Sequence, residues 1–316
     1  MPARYPYNTA DYQGGSIDIG GKVFFVRAAA ISGRQAGQNT PSSGQTPAVP
    51  FATIDYAVGQ CVAGRGDTIY VMPGHTESLS SATALALDVA GVTIIGLGYG
   101  LNRPIITLDT AATTTIQVTA ANVTLKNLVF SANFADIVSV FTLGAAADYR
   151  VEGCLFRATA TNMNFLHIFD TNTTDNSCDG LTFVNNEWFE PDAATLAFGL
   201  VDATLDRVAI SYNLIVNGHA TVDVAALLTI ATGKSLTNAR ITNNDIDITG
   251  NASTVTGLLI TTDGTAHTGV IARNNLKHLD ATTEILITAT ATFGLFENRA
   301  TAVANAQGYL LPAVDS

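Results

Sequence analysis

Between about Val92 and Asn298 one short pattern keeps returning, and it limits what this chain can fold into more than any other feature. It reads Val92-Thr-Ile-Ile-Gly96, Val123-Thr-Leu-Lys-Asn127, Val151-Glu-Gly-Cys154, Phe183-Val-Asn-Asn186, Ile210-Ser-Tyr-Asn213, Ile241-Thr-Asn-Asn244, Ile271-Ala-Arg-Asn-Asn275 and Leu295-Phe-Glu-Asn298. Each copy is a short alternating strand closed by Asn, Gly or Cys. The closing residues lie roughly 31, 27, 32, 27, 31, 31 and 23 positions apart, inside the interval of about 20–50 residues that marks a solenoid.

A second apolar pulse runs in phase with the first, at Val140-Phe-Thr-Leu143, Leu166-His-Ile-Phe169, Phe198-Gly-Leu-Val201, Leu227-Leu-Thr-Ile230, Leu258-Leu-Ile-Thr261 and Ile285-Leu-Ile-Thr288. Each repeat therefore holds at least two strands. No helical period of ten or so residues separates them, so βαβ crossovers are excluded. Short strands without crossovers can wind as a coil in which each strand stacks on its counterparts above and below. The expected fold is all-β: a single-stranded, right-handed parallel β-helix of about eight or nine coils. Asn suits its corners, because it tolerates the left-handed backbone of a tight turn and its side chains can hydrogen-bond along the axis as a ladder.

Composition narrows what the outside of such a coil does. Hydrophobic residues make up 47% of the 316 and charged residues only 13%, with a mean hydropathy of +0.27. A lone β-helix buries only its inner faces, so the apolar excess implies lateral packing against partners, most simply copies of the same chain. The net charge of −11, with only 15 Lys and Arg and no basic run, excludes a nucleic-acid surface. No stretch is long enough for a membrane span or built as a signal peptide, so synthesis in the cytosol is expected. Cys61, Cys154 and Cys178 lack metal-ligand spacing and read as small buried hydrophobes.

In chain order, residues 1–21 form an arm carrying Tyr5, Tyr7 and Tyr12, more aromatic than an idle tail requires. Residues 22–65 hold a first strand at Lys22–Val26, a flexible loop at Ser32–Val49 and a short amphipathic helix at about Pro50–Ala63, expected to cap the coil's open end. Residues 66–298 are the β-helix. Residues 299–316 form a C-terminal extension whose Tyr309, Leu310 and Leu311 would dock, either on the last coil or on a neighbour.

The run Phe51-Ala-Thr-Ile-Asp-Tyr-Ala, then Gly66-Asp-Thr-Ile-Tyr-Val-Met-Pro-Gly-His-Thr-Glu77, Val89-Ala-Gly-Val-Thr-Ile-Ile-Gly-Leu-Gly98 and Arg103-Pro104 resembles the opening coils of pectate-lyase-like β-helix proteins. More closely, it resembles the β-helix proteins of tailed-bacteriophage virions. That superfamily includes lyases, glycan hydrolases, tailspikes and structural shells, so the fold alone selects no function.

The chemistry such enzymes need is poorly matched. Asn172-Thr-Thr-Asp175 and Gly218-His-Ala220 only echo the pectin-hydrolase motifs, and no Asp-Asp or Arg-x-Lys occurs. Arg150, Arg157, Arg207, Arg240 and Arg273 are spread over the coils with none singled out as a lyase base. His75 and Glu77 form a site-like pair without a third ligand. Glu187, Glu190 and Asp192, interleaved with Trp188 and Phe189, are the best grouping for glycan contact, with Trp188 packing under the corner as the alternative. Asp170, Asp202 and Asp263 follow the second strand of their coils and are expected at well-solvated corners.

The expected function is a non-enzymatic capsid decoration or cement protein on the virion surface. It needs no cofactor or metal, and the resemblance implies a homotrimer that clamps the major capsid protein. The alternative is a tailspike or tail-fibre protein that binds, and in one version cleaves, host surface glycan. A free polysaccharide lyase ranks third.

Overall fold

The computed structural model describes residues 20–30, 35–190, 195–217, 224–248, 255–261, 267–278, 292–302 and 309–310. The chain is a parallel β-helix. In one coil it runs along Thr124–Lys126, turns at Asn127, continues along Val129–Ala132 and Ile137–Leu143, and returns through a longer turn to Arg150–Glu152. Repetition of that path builds three long sheets, called here one, two and three in the order a coil visits them. Sheet one has ten described strands, sheet two ten and sheet three seven. No helix among the described residues is long and apolar enough to cross a membrane.

Strand alternation assigns every side chain to the inside or the outside. Inside sheet one, Ile69, Ile94, Leu125, Val151, Phe183, Ile210, Ile241 and Ile271 stack in unbroken register. Inside sheet two the column is Ile106, Phe130, Phe156, Trp188, Ile215, Ile246 and Leu276. Aromatic rings meet in the middle: Phe130 stacks on Phe156 at 5.3 Å and Phe169 on Phe183 at 4.8 Å, with Phe141 edge-on between them. Each such side chain is worth about 1.5–3 kcal/mol of burial, so these columns carry most of the cohesion.

The corner between sheets one and two is held by a buried asparagine ladder, formed by Asn186, Asn213, Asn244, Asn274 and Asn298. Each amide nitrogen donates to the Oδ1 of the next Asn, at 3.1, 2.9, 2.8 and 3.0 Å along the series. It donates also to a carbonyl of the preceding coil, from Val151 to Ile271. Each Oδ1 further accepts the backbone N–H of the residue before it in the column, beginning with Cys154.

The ladder differs in one respect from the sequence reading. The left-handed residue is the one before the ladder member: Asn127, Gly153, Asn185, Tyr212, Asn243, Arg273 and Glu297, with φ between 52° and 62°. Asn127 therefore belongs to the turn rather than the ladder, and Asn274 replaces Asn275 as the ladder residue. Below Cys154 the ladder stops. There Arg103 reaches over and donates Nη2 to the carbonyls of Leu128 and Gly153, at 3.1 and 2.6 Å.

At the N-terminal end the strand Val23–Val26 pairs with Thr68–Val71, and the helix Ile54–Val58 packs beside it. Thr53 caps that helix by accepting the N–H of Tyr56, and Gly59 ends it well short of Ala63. Ile54, Ala57 and Val58 are buried as expected, whereas Val62 lies beyond the helix and is exposed. Asp67 ties this end together by taking the N–H groups of Lys22 and Val62 and both arms of the Arg65 guanidinium. At the other end Tyr309–Leu310 pairs antiparallel to Arg299–Ala302.

Replacing Asn213 with Ala strands the N–H of Asn186 and the carbonyl of Phe183 in a dry corner. A loss of roughly 2–4 kcal/mol is expected in urea unfolding, at about 1–3 kcal/mol per stranded group. A loss under about 0.5 kcal/mol, the range of an ordinary surface substitution, would contradict the ladder's role.

Candidate functional site

The acidic and aromatic cluster near residue 188 is divided by the strand it sits on. Glu187–Glu190 is a strand of sheet two, so Glu187 and Phe189 face out while Trp188 and Glu190 face in. Trp188 is 0% exposed and lies edge-on to Phe198 at 5.9 Å. Glu190 is 1% exposed, and its Oε2 accepts the N–H of Phe165 at 3.3 Å. The glycan grouping of Glu187, Trp188 and Glu190 therefore does not share a surface, because alternate residues of a strand point to opposite faces. Asp192 lies outside the described residues.

What sheet two presents outward is a mixed face with a short apolar strip. Its outward columns run Ile105, Val129, Leu155, Glu187, Leu214 and Asp245, and beside them Thr107, Ser131, Arg157, Phe189, Val216 and Asp247. Ile105, Leu155 and Leu214 are half-buried, and Phe189 and Val216 are exposed. Val129 and Ser131 are buried and Glu187, Arg157, Asp245 and Asp247 interrupt the columns, so the apolar strip is short: Phe189 and Val216 on adjacent rungs about 4.8 Å apart, with Leu214 beside them. At the corner nearby, the bend Gly100–Asn102 holds Tyr99 and Leu101 at 92% and 95% exposure.

His75 and Glu77 are structural. The His75 ring is buried; its Nδ1 accepts the N–H of Ala28 at 2.9 Å, which leaves Nε2 to donate to Glu77 Oε2 at 3.1 Å. The same Oε2 accepts the N–H of Ile54 at the start of the helix. The pair thus ties the first strand's exit and the helix onto the next coil.

Sheet three carries a strongly perturbed carboxyl at a position that the sequence pattern predicts to be well solvated. Asp170 stands outward between Thr142 and Leu200, half-buried, and its Oδ1 is enclosed without a hydrogen-bond partner. Burial pushes its pKa up to about 6, and the neighbouring Asp202 adds to the rise. His167, on the same strand and also buried, is pushed down by desolvation. Asp263, the third member of that expected series, lies outside the described residues. The signal was present in the recurrence of Asp after the second strand, but the depth of each corner is not written in spacing.

All three cysteines are free. Burial pushes the Cys61 and Cys154 thiols up to about 12, which makes them poor nucleophiles. Among the described residues no three of His, Cys, Asp and Glu come together as a metal site. The arm residues Tyr5, Tyr7 and Tyr12, together with Leu311, lie outside the described residues. Tyr309 and Leu310 enter only through the backbone of their antiparallel strand.

No protein-family model matches this chain, and no curated protein matches it. Among solved structures a rhamnogalacturonan lyase is similar, at 16% identity and a TM-score of 0.41, over 89% of this chain and 74% of that one.

Asp170 and Asp67 give opposite pH signatures. The raised Asp170 favours the fold while protonated, so its contribution is present below about pH 4 and is lost as pH rises through about 6. Asp170→Asn is expected to stabilise the protein at pH 8 by about 1 kcal/mol after allowance for solvent screening, and to change little at pH 4. For Asp67, burial alone would raise the carboxyl, but Arg65 and the N–H groups of Val62 and Lys22 outweigh it and hold it below its ordinary range. Its contribution is present at neutral pH and is lost as pH falls through the lowered folded value. Thermal melts of Asp170→Asn and Asp67→Asn across pH test both signs; a gain from Asp67→Asn at pH 7 would contradict the second.

Proposed function

We propose that this chain is a non-enzymatic structural protein of a tailed-bacteriophage virion, a decoration or cement protein that acts as a homotrimer on the capsid surface. The observation that carries the reading is the apolar strip of sheet two, with Phe189 and Val216 exposed and Leu155 and Leu214 beside them. Continuous apolar surface on a rigid sheet is what a lateral protein contact requires, whereas isolated apolar residues need no explanation. Tyr99 and Leu101 extend the argument to a corner, where a projecting pair of apolar side chains suits insertion into a neighbour. In this reading the strips join the three copies, and the outer corners and the tyrosine arm meet the major capsid protein.

Charge supports the same kind of partner. At −11 the chain repels nucleic acid and other acidic surfaces, and a capsid lattice with basic patches would attract it.

The second reading is a tailspike or tail-fibre protein that binds host surface polysaccharide. Its specific support is that Phe189 and Glu187 project from one strand, a ring and an acid on a common face. The first reading is preferred because Phe189 and Val216 are exposed on adjacent rungs with Leu214 beside them, an apolar surface wider than one ring.

Two measurements test the first reading. Sedimentation velocity at micromolar concentration should give a trimer, which Phe189→Asp combined with Val216→Asp should dissociate; a monomeric parent chain would contradict the lateral contact. Immunogold labelling of intact particles should place the chain over the whole head. Label confined to the tail would favour the second reading, and unlabelled particles would contradict both.

A further inference from the structure

The corner between sheets one and two is built on left-handed residues, of which Tyr212, Arg273 and Glu297 are poor chemical choices for that conformation. Arg273 and Glu297 pair with each other, Nε to Oε2 at 2.8 Å, whereas Tyr212 has no hydrogen-bond partner for its side chain among the described residues. Tyr212 has φ of 59° and is 60% exposed. Bulky side chains rarely occupy this region, where Asn, Asp and Gly are at ease. Its rung neighbours obey the preference: Asn185 and Asn243 lie on either side, with Gly153 one rung beyond Asn185. The placement is fixed by backbone bonds, from Asn185 to the Ser211 carbonyl and from Tyr212 to the Thr242 carbonyl. The buried ladder of Asn186, Asn213 and Asn244 directly behind holds all three turns in step.

The two amides are unspent. Asn127, at the equivalent corner further down, donates its side chain to the carbonyls of Gly96 and Gly98. Among the described residues, the side chains of Asn185, Tyr212 and Asn243 make no hydrogen bond to the protein. An aromatic face is thus flanked at about 4.8 Å steps by groups that both donate and accept. Gly153 leaves the approach to Asn185 open.

We propose that Tyr212, Asn185 and Asn243 form a carbohydrate-contact ridge, in which the ring takes the C–H face of a neutral hexose and the two amides take hydroxyls of that sugar or its neighbours. The rungs flanking Tyr212 are amides rather than apolar side chains, which favours a hydroxylated ligand over a protein hot spot, where apolar surface would ring the aromatic. Backbone strain at an exposed side chain is a pointer to function of this kind. The inference rests on the second reading above for its class of ligand only. A chain that bound glycan through Phe189 and Glu187 would keep its affinity when Tyr212 is changed, so the two fail separately.

The test titrates the full-length chain with neutral tetrasaccharides, α- and β-linked glucose and galactose, followed by saturation-transfer difference NMR. At least one tetrasaccharide should receive saturation on its ring C–H protons. Tyr212→Asn should weaken it at least tenfold while leaving Tm unchanged or raised by about 1–3 °C, since Asn relieves the left-handed strain. Asn185→Ala should weaken binding without altering the far-ultraviolet circular dichroism. The proposal is overturned if no tetrasaccharide binds the parent chain, if Tyr212→Asn binds as tightly as the parent, or if Tyr212→Asn lowers Tm.

Discussion

The amide column of Asn186, Asn213, Asn244, Asn274 and Asn298 is the constraint on which the remaining structure depends. A coil must turn sharply between sheets one and two at every rung, and each turn leaves backbone groups facing a dry interior. One carboxamide per rung supplies two donors and an accepting oxygen, enough to join the coil below to the coil above. Once that corner is fixed, the register of both adjoining sheets follows, because a slip of one residue would turn every inward side chain outward. The stacked columns of Ile, Phe and Trp are then a consequence of the corner as much as a cause of the fold.

A fold secured this way spends its distinctive polar pairs on itself. His75 and Glu77 hold the capping helix, Asp67 and Arg65 close the first coil, and Arg103 covers the rungs that lack an Asn. What is left for interaction lies outside: the apolar strip of sheet two, the projecting Tyr99 and Leu101, and the strained ridge at Tyr212. Function on such a scaffold is a matter of which outward positions are loaded.

The repeat made the architecture legible. Its period of about thirty residues, two apolar pulses and a closing Asn define the coils before any coordinate is known. The site was less legible, for a geometric reason. Glu187 through Glu190 read as one polar and aromatic patch, yet a strand sends Trp188 and Glu190 into the core. Whether that stretch is strand or loop turns on where the corner falls, and the corner lies one residue earlier than the Asn that marks it. Tyr212 was passed over for the same reason: inside the motif Ile210-Ser-Tyr-Asn213 it looks like one more strand residue, and only its left-handed φ separates it from its neighbours. The burial of Asp170 depends on how closely the third sheet's turns overhang it, which spacing does not encode.

Hydrogen exchange of the side-chain carboxamides, followed by NMR at neutral pH, tests the central claim most directly. If the ladder holds the coil, the NH₂ protons of Asn213 and Asn244 exchange only with opening of the sheets, as slowly as the backbone amides of Ile210 and Ile241 beside them. The exposed carboxamide of Asn185, which makes no hydrogen bond to the described residues, exchanges at the rate of a free side chain. Ladder carboxamides that exchanged as fast as that one would mean that the corner is held by something other than the asparagines.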